Sequence, residues 1–265
     1  MEVNYKMVEI DPSAQIAHDV EIGSFSCIAG DVVIGEGTWI GPHVTILDGV
    51  RIGKNCKIHP GTVLGGIPQD LKFKNEYSLL EIGDNVTVRE YCTLNRGTID
   101  KGTTKIDDNC LIMAYVHIAH DCTIGKNSIL ANSVNLAGHI EVGSHVVIGG
   151  MSAVHQFVKI GDHAMVGGGS LVRKDVPPFV KAAREPLSYA GVNSIGLKRR
   201  GFSQEEVNRI QDVYRYLFVK GYNTKQALEL IKDNVSDHPH KTQILDFIAG
   251  STRGMMKGLR QANQG

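Results

Sequence analysis

The sequence lacks a charge bias, a cysteine framework and any long apolar run. Lysine plus arginine and aspartate plus glutamate balance at 28 each over 265 residues. Net charge therefore gives no reason to expect nucleic-acid binding. The five cysteines, Cys27, Cys56, Cys92, Cys110 and Cys122, are odd in number and form no Cys-x-x-Cys, which argues against a disulfide scaffold or a zinc ribbon. No run of about 18 apolar residues could form a transmembrane segment. The stretch Met1 to Gln15 carries Glu2, Glu9 and Asp11 and no apolar core, so a signal peptide is not expected and the cytoplasm is the expected location.

What is present is a repeat. Stepping by six from Ile10 reads Ile16, Ile22, Ile28, Ile34, Ile40, Ile46, Ile52, Ile58 and Leu64. The series resumes at Ile82, Val88 and Leu94, and again at Ile106, running to Val172. Of 28 in-phase positions, 25 are Ile, Leu or Val, and the exceptions, Asp70, Glu76 and Asp100, fall in two breaks. The repeat is therefore the fold signal. The third and fourth residues of each hexad are rich in turn formers. The fifth is small or β-branched, as at Val20, Ser26, Val44, Cys56 and Cys92. Fifth residue and next aliphatic lie two apart, so both face one side of a short strand. Six residues suit one strand and one corner, and three such units make a triangular coil of 18 residues. Coils stack about 4.8 Å apart as parallel strands, and each gains its core from its neighbours. Four cysteines, Cys56, Cys92, Cys110 and Cys122, hold the inward fifth position and read as core filler.

The hexads end at Val172, and composition changes after Pro177 and Pro178. The expected organisation is a β-helix over 1–176, with loops near 66–78 and 97–105, and a small α-helical domain over 177–265. Ser203 to Glu206 is a capping box opening a helix from Gln204 to about Lys220, closed by Gly221. Thr224 is expected to cap a second helix through about Val235, Pro239 to open a third and Ser251 to start a fourth.

Loops ejected from a rigid scaffold often carry function, and Asp70 and Lys72 in the first loop read as ligand contacts. A tolerated insertion explains 97–105 nearly as well. Hexads starting at 118, 136 and 154 are 18 apart, so their corners stack. They carry His120, His139 and His155, with His117, Asp121 and Gln156 beside them. Stacking places the column within about 10 Å. His145 and His163 share another face and read as polar corners with no other chemical group nearby.

Four motifs carry a resemblance: H-I-A-H-D-C at 117–122, L-A-G-H at 136–139, A-V-H-Q-F at 153–157 and G-L-K-R-R-G-F at 196–202. With P-Q-D-L-K at 68–72 and S-T-R-G at 251–254, the chain resembles, end to end, the acyl-carrier-protein-dependent UDP-N-acetylglucosamine O-acyltransferases. The resemblance implies a mainly β fold, a left-handed parallel β-helix followed by a small helical domain. It implies transfer of a 3-hydroxyacyl chain from acyl carrier protein to the sugar 3-hydroxyl, the first step of lipid A biosynthesis. It also implies a homotrimer, no resident cofactor and no metal, the acyl donor being held on phosphopantetheine. His120 aligns with the general base, Asp121 with its orienting carboxylate and Gly138 with an oxyanion-binding N–H. A neutral imidazole, with an ordinary pKa near 6.5, can accept a proton at cytosolic pH. His139 and Gln156 would meet the acyl and pantetheine arm, and His155 would also bind substrate. Asp70, Lys72 and His117 would hold the sugar nucleotide, Asn193 the uracil, and Arg199 and Arg200 the diphosphate. Ile195 stands where some relatives carry an acidic uridine contact. Gly168, near Met165, aligns with the acyl-length ruler and implies a chain of about fourteen carbons or more. Arg173, Lys174, Lys198, Arg253, Lys257 and Arg260 would dock an acidic carrier protein.

Three other readings are compatible with parts of the sequence. A γ-type carbonic anhydrase would use His117, His120 and His139 on zinc, but leaves the helical domain and the 68–72 loop without a role. An N-acyltransferase later in the same pathway usually carries an N-terminal uridine-binding domain, for which hexads starting at Ile10 leave no space. A non-catalytic β-prism scaffold needs no histidine column.

Overall fold

The computed structural model describes residues 7–258. Short parallel strands wind into a left-handed β-helix of three sheets. The first holds nine strands, from Glu9–Ile10 to Leu171–Val172; the second holds eight, from Gln15–Ile16 to Lys159–Ile160. The third holds ten, beginning at Glu21–Ile22. Register confirms the 18-residue coil: His117 pairs with Asn135, Asn135 with Ala153, and Ala153 with Leu171. Where loops intervene the step lengthens, Val63 pairing with Thr93 and Thr93 with His117, yet aliphatic positions stay aligned.

Hexad aliphatics and fifth-position residues fill the interior together, and Ile40, Val44, Cys56, Ile58, Leu94, Ile118 and Val134 are fully buried. The core is thus a continuous stack of β-branched side chains, which suit a pleated, half-buried surface. Burial pushes the thiols of Cys56, Cys92 and Cys110 up to about 11 and that of Cys122 to about 12, so these four act as apolar filler. The fourth residue of most hexads from Ile22 to Val166 turns the corner with positive φ, as at Asn85 (56°), Asp121 (60°) and His139 (62°). Asparagine and aspartate tolerate that region through local hydrogen bonds.

The prism continues past the last hexad. Val180–Ala183 pairs in parallel with Met165–Val166, and Ser188–Val192 closes the third sheet as an antiparallel edge. Four helices follow: α1 (Ser194–Arg199), α2 (Gln204–Tyr214), α3 (Thr224–Asn234) and α4 (Pro239–Ala249). The Ser203–Glu206 capping box forms, and a π-helical turn over Arg215–Val219 extends α2 to the Gly221 stop. The cap of α3 is Asn223, one residue before the expected Thr224, because its side chain and that of Gln226 bond reciprocally to the backbone. Pro239 opens α4 as expected. No helix starts at Ser251. Its hydroxyl donates to Asp175 (2.6 Å), Gly254 turns with φ 74°, and Met255 and Lys257 bridge back to the prism. The helical domain is anchored by the buried Tyr214, whose hydroxyl donates to the Pro178 carbonyl at 2.6 Å.

Candidate active site

The prism has three edges, and the edge from first to second sheet collects the chemistry. Strands His117–Ile118, Asn135–Leu136 and Ala153–Val154 of the first sheet turn there into strands of the second. This stacks His120 and Asp121 over Gly138 and His139, with His155, Gln156 and Phe157 one coil further. Both ejected loops, after Val63–Gly66 and after Thr93–Asn95, leave from the same edge on the two preceding coils. They therefore overhang the histidine column.

The centre is a hydrogen bond of 2.8 Å between His120 Nδ1 and Asp121 Oδ2. A carboxylate only accepts, so Nδ1 carries the proton and Nε2 is left to accept. Asp121 is sealed at 0% exposure, whereas the imidazole keeps 12% of its side-chain surface, making His120 the reachable member of the pair. Burial works against the Asp121 charge. Two hydrogen bonds from Thr98, from N (3.0 Å) and Oγ1 (2.7 Å), outweigh it with help from His120 and His139, so the Asp121 pKa is lowered. The Asp121 N–H donates to Thr104 Oγ1 at 2.8 Å, which fixes the left-handed backbone that aims the carboxylate at the ring.

Gly138 packs directly on the imidazole: a Cβ built there would lie 2.6 Å from His120 Cε1 and 2.8 Å from Nε2. The close approach that requires glycine is thus to the histidine itself. Among the described residues no acceptor takes the Gly138 N–H. His139 stands edge-on to His120 (5.0 Å between centroids) and stacks on Phe157 (4.5 Å). It lies between two carboxylates, Nε2 at 3.7 Å from Asp121 and Nδ1 at 3.3 Å from Asp100. The second contact is an approach without a hydrogen bond, since Nδ1 has no partner. Burial lowers the His139 pKa against the pull of Asp121. His117, on the outer face of the first sheet, bonds Thr93 Oγ1 through Nδ1 at 2.8 Å, and burial lowers its pKa.

The other expected residues divide. Asp70 accepts from the Lys72 N–H (3.0 Å) and shapes the loop tip that exposes the Lys72 side chain. Arg253 reaches His155 Nδ1 at 2.9 Å, bringing one of the expected docking cations onto this edge. Arg173, Lys174 and Lys257 line a cavity of about 630 Å³, and Lys174 donates to the Arg253 carbonyl. Lys198 lies on α1 and does not line that cavity, and Arg260 lies outside the described residues. Gly168 turns the edge between third and first sheets, so it is separated from His120 within one chain.

Asn193 and Arg200 belong to the third edge. Asn193 is 5% exposed, its Oδ1 accepting from Gly196 N (3.3 Å) to cap α1 and its Nδ2 donating to the His163 carbonyl (3.0 Å). Its amide thus already makes two local hydrogen bonds, with one N–H and one oxygen lone pair remaining. His145 and His163 are also not isolated. They stack at 4.8 Å, His163 lies against Phe179 and Phe202, and Arg200 is close enough to depress both. The helical domain folds back over this corner, which hexad arithmetic alone does not reveal. Burial above all pushes His163 down to about 4. Arg199 is exposed at the end of α1.

Thr98, Asp100, Thr104 and Glu76 were not singled out by sequence. A signal for them existed: 94 precedes 118 by 24, one coil plus six residues, so 97–102 leaves from the His120 corner. The ligand atoms of His120, Asp121 and His139 lie within 4.8 Å of one another, a spacing that could hold a cation. Both Asp121 oxygens, however, already accept from Thr98 and one also from His120.

Known proteins are similar to this chain in sequence and fold. A family model described as Udp N-acetylglucosamine O-acyltransferase, Domain 2, matches residues 175–256, and a bacterial transferase hexapeptide model matches 31–66 and 103–138. The chain is 53% identical to the acyl-[acyl-carrier-protein]–UDP-N-acetylglucosamine O-acyltransferase of Sulfurihydrogenibium sp., over 94% of each chain. It is 55% identical to that of Polynucleobacter asymbioticus, over 94% of this chain and 97% of the relative. Among solved structures, the UDP-N-acetylglucosamine acyltransferase of Bacteroides fragilis superposes with TM-score 0.93 at 44% identity, covering 95% of this chain and 98% of that one. The Arabidopsis UDP-N-acetylglucosamine acyltransferase does so with TM-score 0.78 at 30% identity, covering 94% and 100%. On fold, motif set and near full-length similarity, the chain belongs to the acyl-[acyl-carrier-protein]–UDP-N-acetylglucosamine O-acyltransferase family.

Proposed function

We infer that the protein is an acyltransferase that moves a 3-hydroxyacyl group from acyl carrier protein to the 3-hydroxyl of UDP-N-acetylglucosamine, the first step of lipid A biosynthesis. The observation that carries the mechanism is the His120–Asp121 bond, with Gly138 against the accepting edge of the ring. His120 Nε2 takes the proton of the sugar hydroxyl as its oxygen attacks the thioester carbonyl. Positioned base catalysis of this kind contributes roughly 100- to 10,000-fold. Asp121 fixes the tautomer and stabilises the imidazolium. The Gly138 N–H, which no described group takes up, donates to the oxyanion in this reading. Collapse of the tetrahedral intermediate then expels the pantetheine thiolate, which His120 reprotonates. His139, His155 and Gln156 line the path of the acyl and pantetheine arm, while Asp70, Lys72 and His117 hold the sugar nucleotide and Arg199 and Arg200 its diphosphate. The thioester brings its own activation, so the reading assigns no resident cofactor or metal to the chain.

We also propose a homotrimer. On the first sheet the outward residues Val63, Thr93, His117, Asn135, Ala153 and Leu171 carry no carboxylate, lysine or arginine. On the third, Thr87, Leu111, Ile129, Val147 and Met165 are likewise uncharged. The second sheet presents Arg51, Glu81, Lys105, Glu141 and Lys159. The charges in the rows of the first and third sheets, Glu9 on the first and Glu21, Lys57 and Lys181 on the third, lie toward the ends, and the uncharged middle stretches suit packing against copies of the chain. Such packing would bring the edge of Gly168 and that of Arg200 to a neighbour's His120. Gly168 would then leave room for an acyl chain of about fourteen carbons or more. Arg173, Lys174, Arg253 and Lys257 would meet the carrier protein. A cytoplasmic location fits the five free thiols, and no helix among the described residues is long and apolar enough to cross a membrane.

The test is acyl transfer from 3-hydroxyacyl carrier protein to UDP-N-acetylglucosamine, wild type beside His120→Ala. Wild-type turnover with a fall of at least about two decades in a folded variant fits the base. Equal rates would remove His120 from the mechanism. Sedimentation should give three times the 28.8 kDa chain mass; a monomer would leave the site incomplete.

A further inference from the structure

Asp121 is the least accessible group of the site, and its environment comes from a segment remote in sequence. Three donors bond its oxygens, Thr98 N at 3.0 Å, Thr98 Oγ1 at 2.7 Å and His120 Nδ1 at 2.8 Å, while His139 Nε2 stands off at 3.7 Å. Thr98 Oγ1 and His120 Nδ1 share a single oxygen, Oδ2. The hydroxyl is itself held, accepting from the Asp100 N–H at 3.3 Å, so its proton is aimed at the carboxylate. The loop carrying Thr98 is tied in turn to the first ejected loop, Ile99 N donating to Glu76 Oε1 at 3.1 Å. Thr98 is 7% exposed. A side chain whose role were only to fill space there would need no hydroxyl.

We propose that Thr98 is a positioning residue for the acyl transfer: its hydroxyl fixes Asp121 Oδ2 against His120 Nδ1 and sets how strongly the carboxylate holds the imidazolium. This rests on His120 acting as the base. Two donors on one oxygen divide its charge. Removing the hydroxyl leaves the whole of Oδ2 to the imidazole, so the imidazolium persists to higher pH and the base is lost over a wider acid range. The same removal frees the carboxylate to rotate, which loosens the ring. The other titratable or charged groups facing this pair are His139 on its own edge and Asp100 and Lys101 on the loop. A change at Thr98 leaves His139 and Lys101 untouched but releases the Asp100 N–H, so Asp100→Asn, which alters the Asp100 carboxylate and keeps that N–H, serves as the control for an effect routed through Asp100.

The experiment measures kcat, KM and the pH dependence of kcat/KM for Thr98→Val, Thr98→Ala and Thr98→Ser, with His120→Ala in the same assay. Thr98→Val keeps the shape and the backbone N–H; Thr98→Ala covers the case in which valine folds poorly. The expected result is an about tenfold lower kcat in both. Both KM values should stay within about twofold, and the acid limb should move up by about half a pH unit. Thr98→Ser should restore both quantities. Wild-type kcat and an unmoved acid limb in the valine and alanine variants would overturn the assignment. So would a serine variant as impaired as alanine, since the methyl group would then be what matters. His120→Ala at the wild-type rate would instead sink the base reading itself. An inactive His120→Ala beside fully active Thr98 variants would sink only the role of Thr98.

Discussion

Two edges of the prism carry stacked histidines at their hexad corners, and their surroundings make them different groups. At the first, His120 and His139 meet Asp121 and Asp100, and the rings lie edge to face. At the second, His145 and His163 stack nearly parallel, His163 meets Phe179 and Phe202, and for both the Arg200 guanidinium outweighs the Asp162 carboxylate. Carboxylates favour an imidazole that gains a proton during a reaction; burial, aromatic faces and a cation disfavour one. The first edge can therefore do base chemistry, whereas the second packs the helical domain onto the prism. A corner histidine is not functional by its place in the repeat; the partners that reach it decide.

The contrast can be broken in several ways, taken from the largest expected effect downward. His120→Ala should lower kcat by two decades or more, and if His163→Ala did the same in a folded protein the two edges would not be distinct. Gly138→Ala should lower kcat by roughly ten- to a hundredfold, because its methyl occupies the place of the His120 ring edge and small misplacements are costly. A crystal structure of that variant with an unmoved imidazole would contradict the cause. Asp100→Asn should cost only about threefold, since Asp100 is 67% exposed and an exposed pair contributes little; steady-state rates at two ionic strengths check this.

The second edge should instead respond in stability. His163 titrates near 4 when folded and near its ordinary 6.5 when unfolded. Between those values the unfolded chain binds the extra proton, so stability is full above about 6.5 and falls as pH drops toward 4. His163→Gln should reduce the fall in melting temperature between pH 7 and 5 by about a few degrees while kcat stays within about twofold. An unchanged pH dependence of melting would mean that His163 is not the buried neutral group described.

Much of the site is legible in the sequence. The hexad phase alone put His120, His139 and His155 in one column, because a strict period of six and a coil of three units leave no freedom in where a corner falls. Asp121 was legible as the neighbour of His120. Thr98 was not, since its contact with Asp121 spans 23 residues and depends on how a six-residue insertion folds over the next coil. Asn193 shows the opposite case: its residue type suits a uracil contact, and the structure adds a cap on the short helix α1 that the sequence reading does not name. The α3 cap at Asn223 in place of Thr224 is the usual one-residue ambiguity between adjacent capping residues.

The sequence by itself determined the prism: the period, the inward aliphatics, the two ejected loops and the histidine column, because each follows from local spacing that every coil repeats. Only the tertiary structure decided which histidines face carboxylates, that both loops overhang the same edge, and that Arg200 and the aromatics of the helical domain close the other. Those contacts join segments tens of residues apart, and their energies depend on burial and distance, which no repeat encodes.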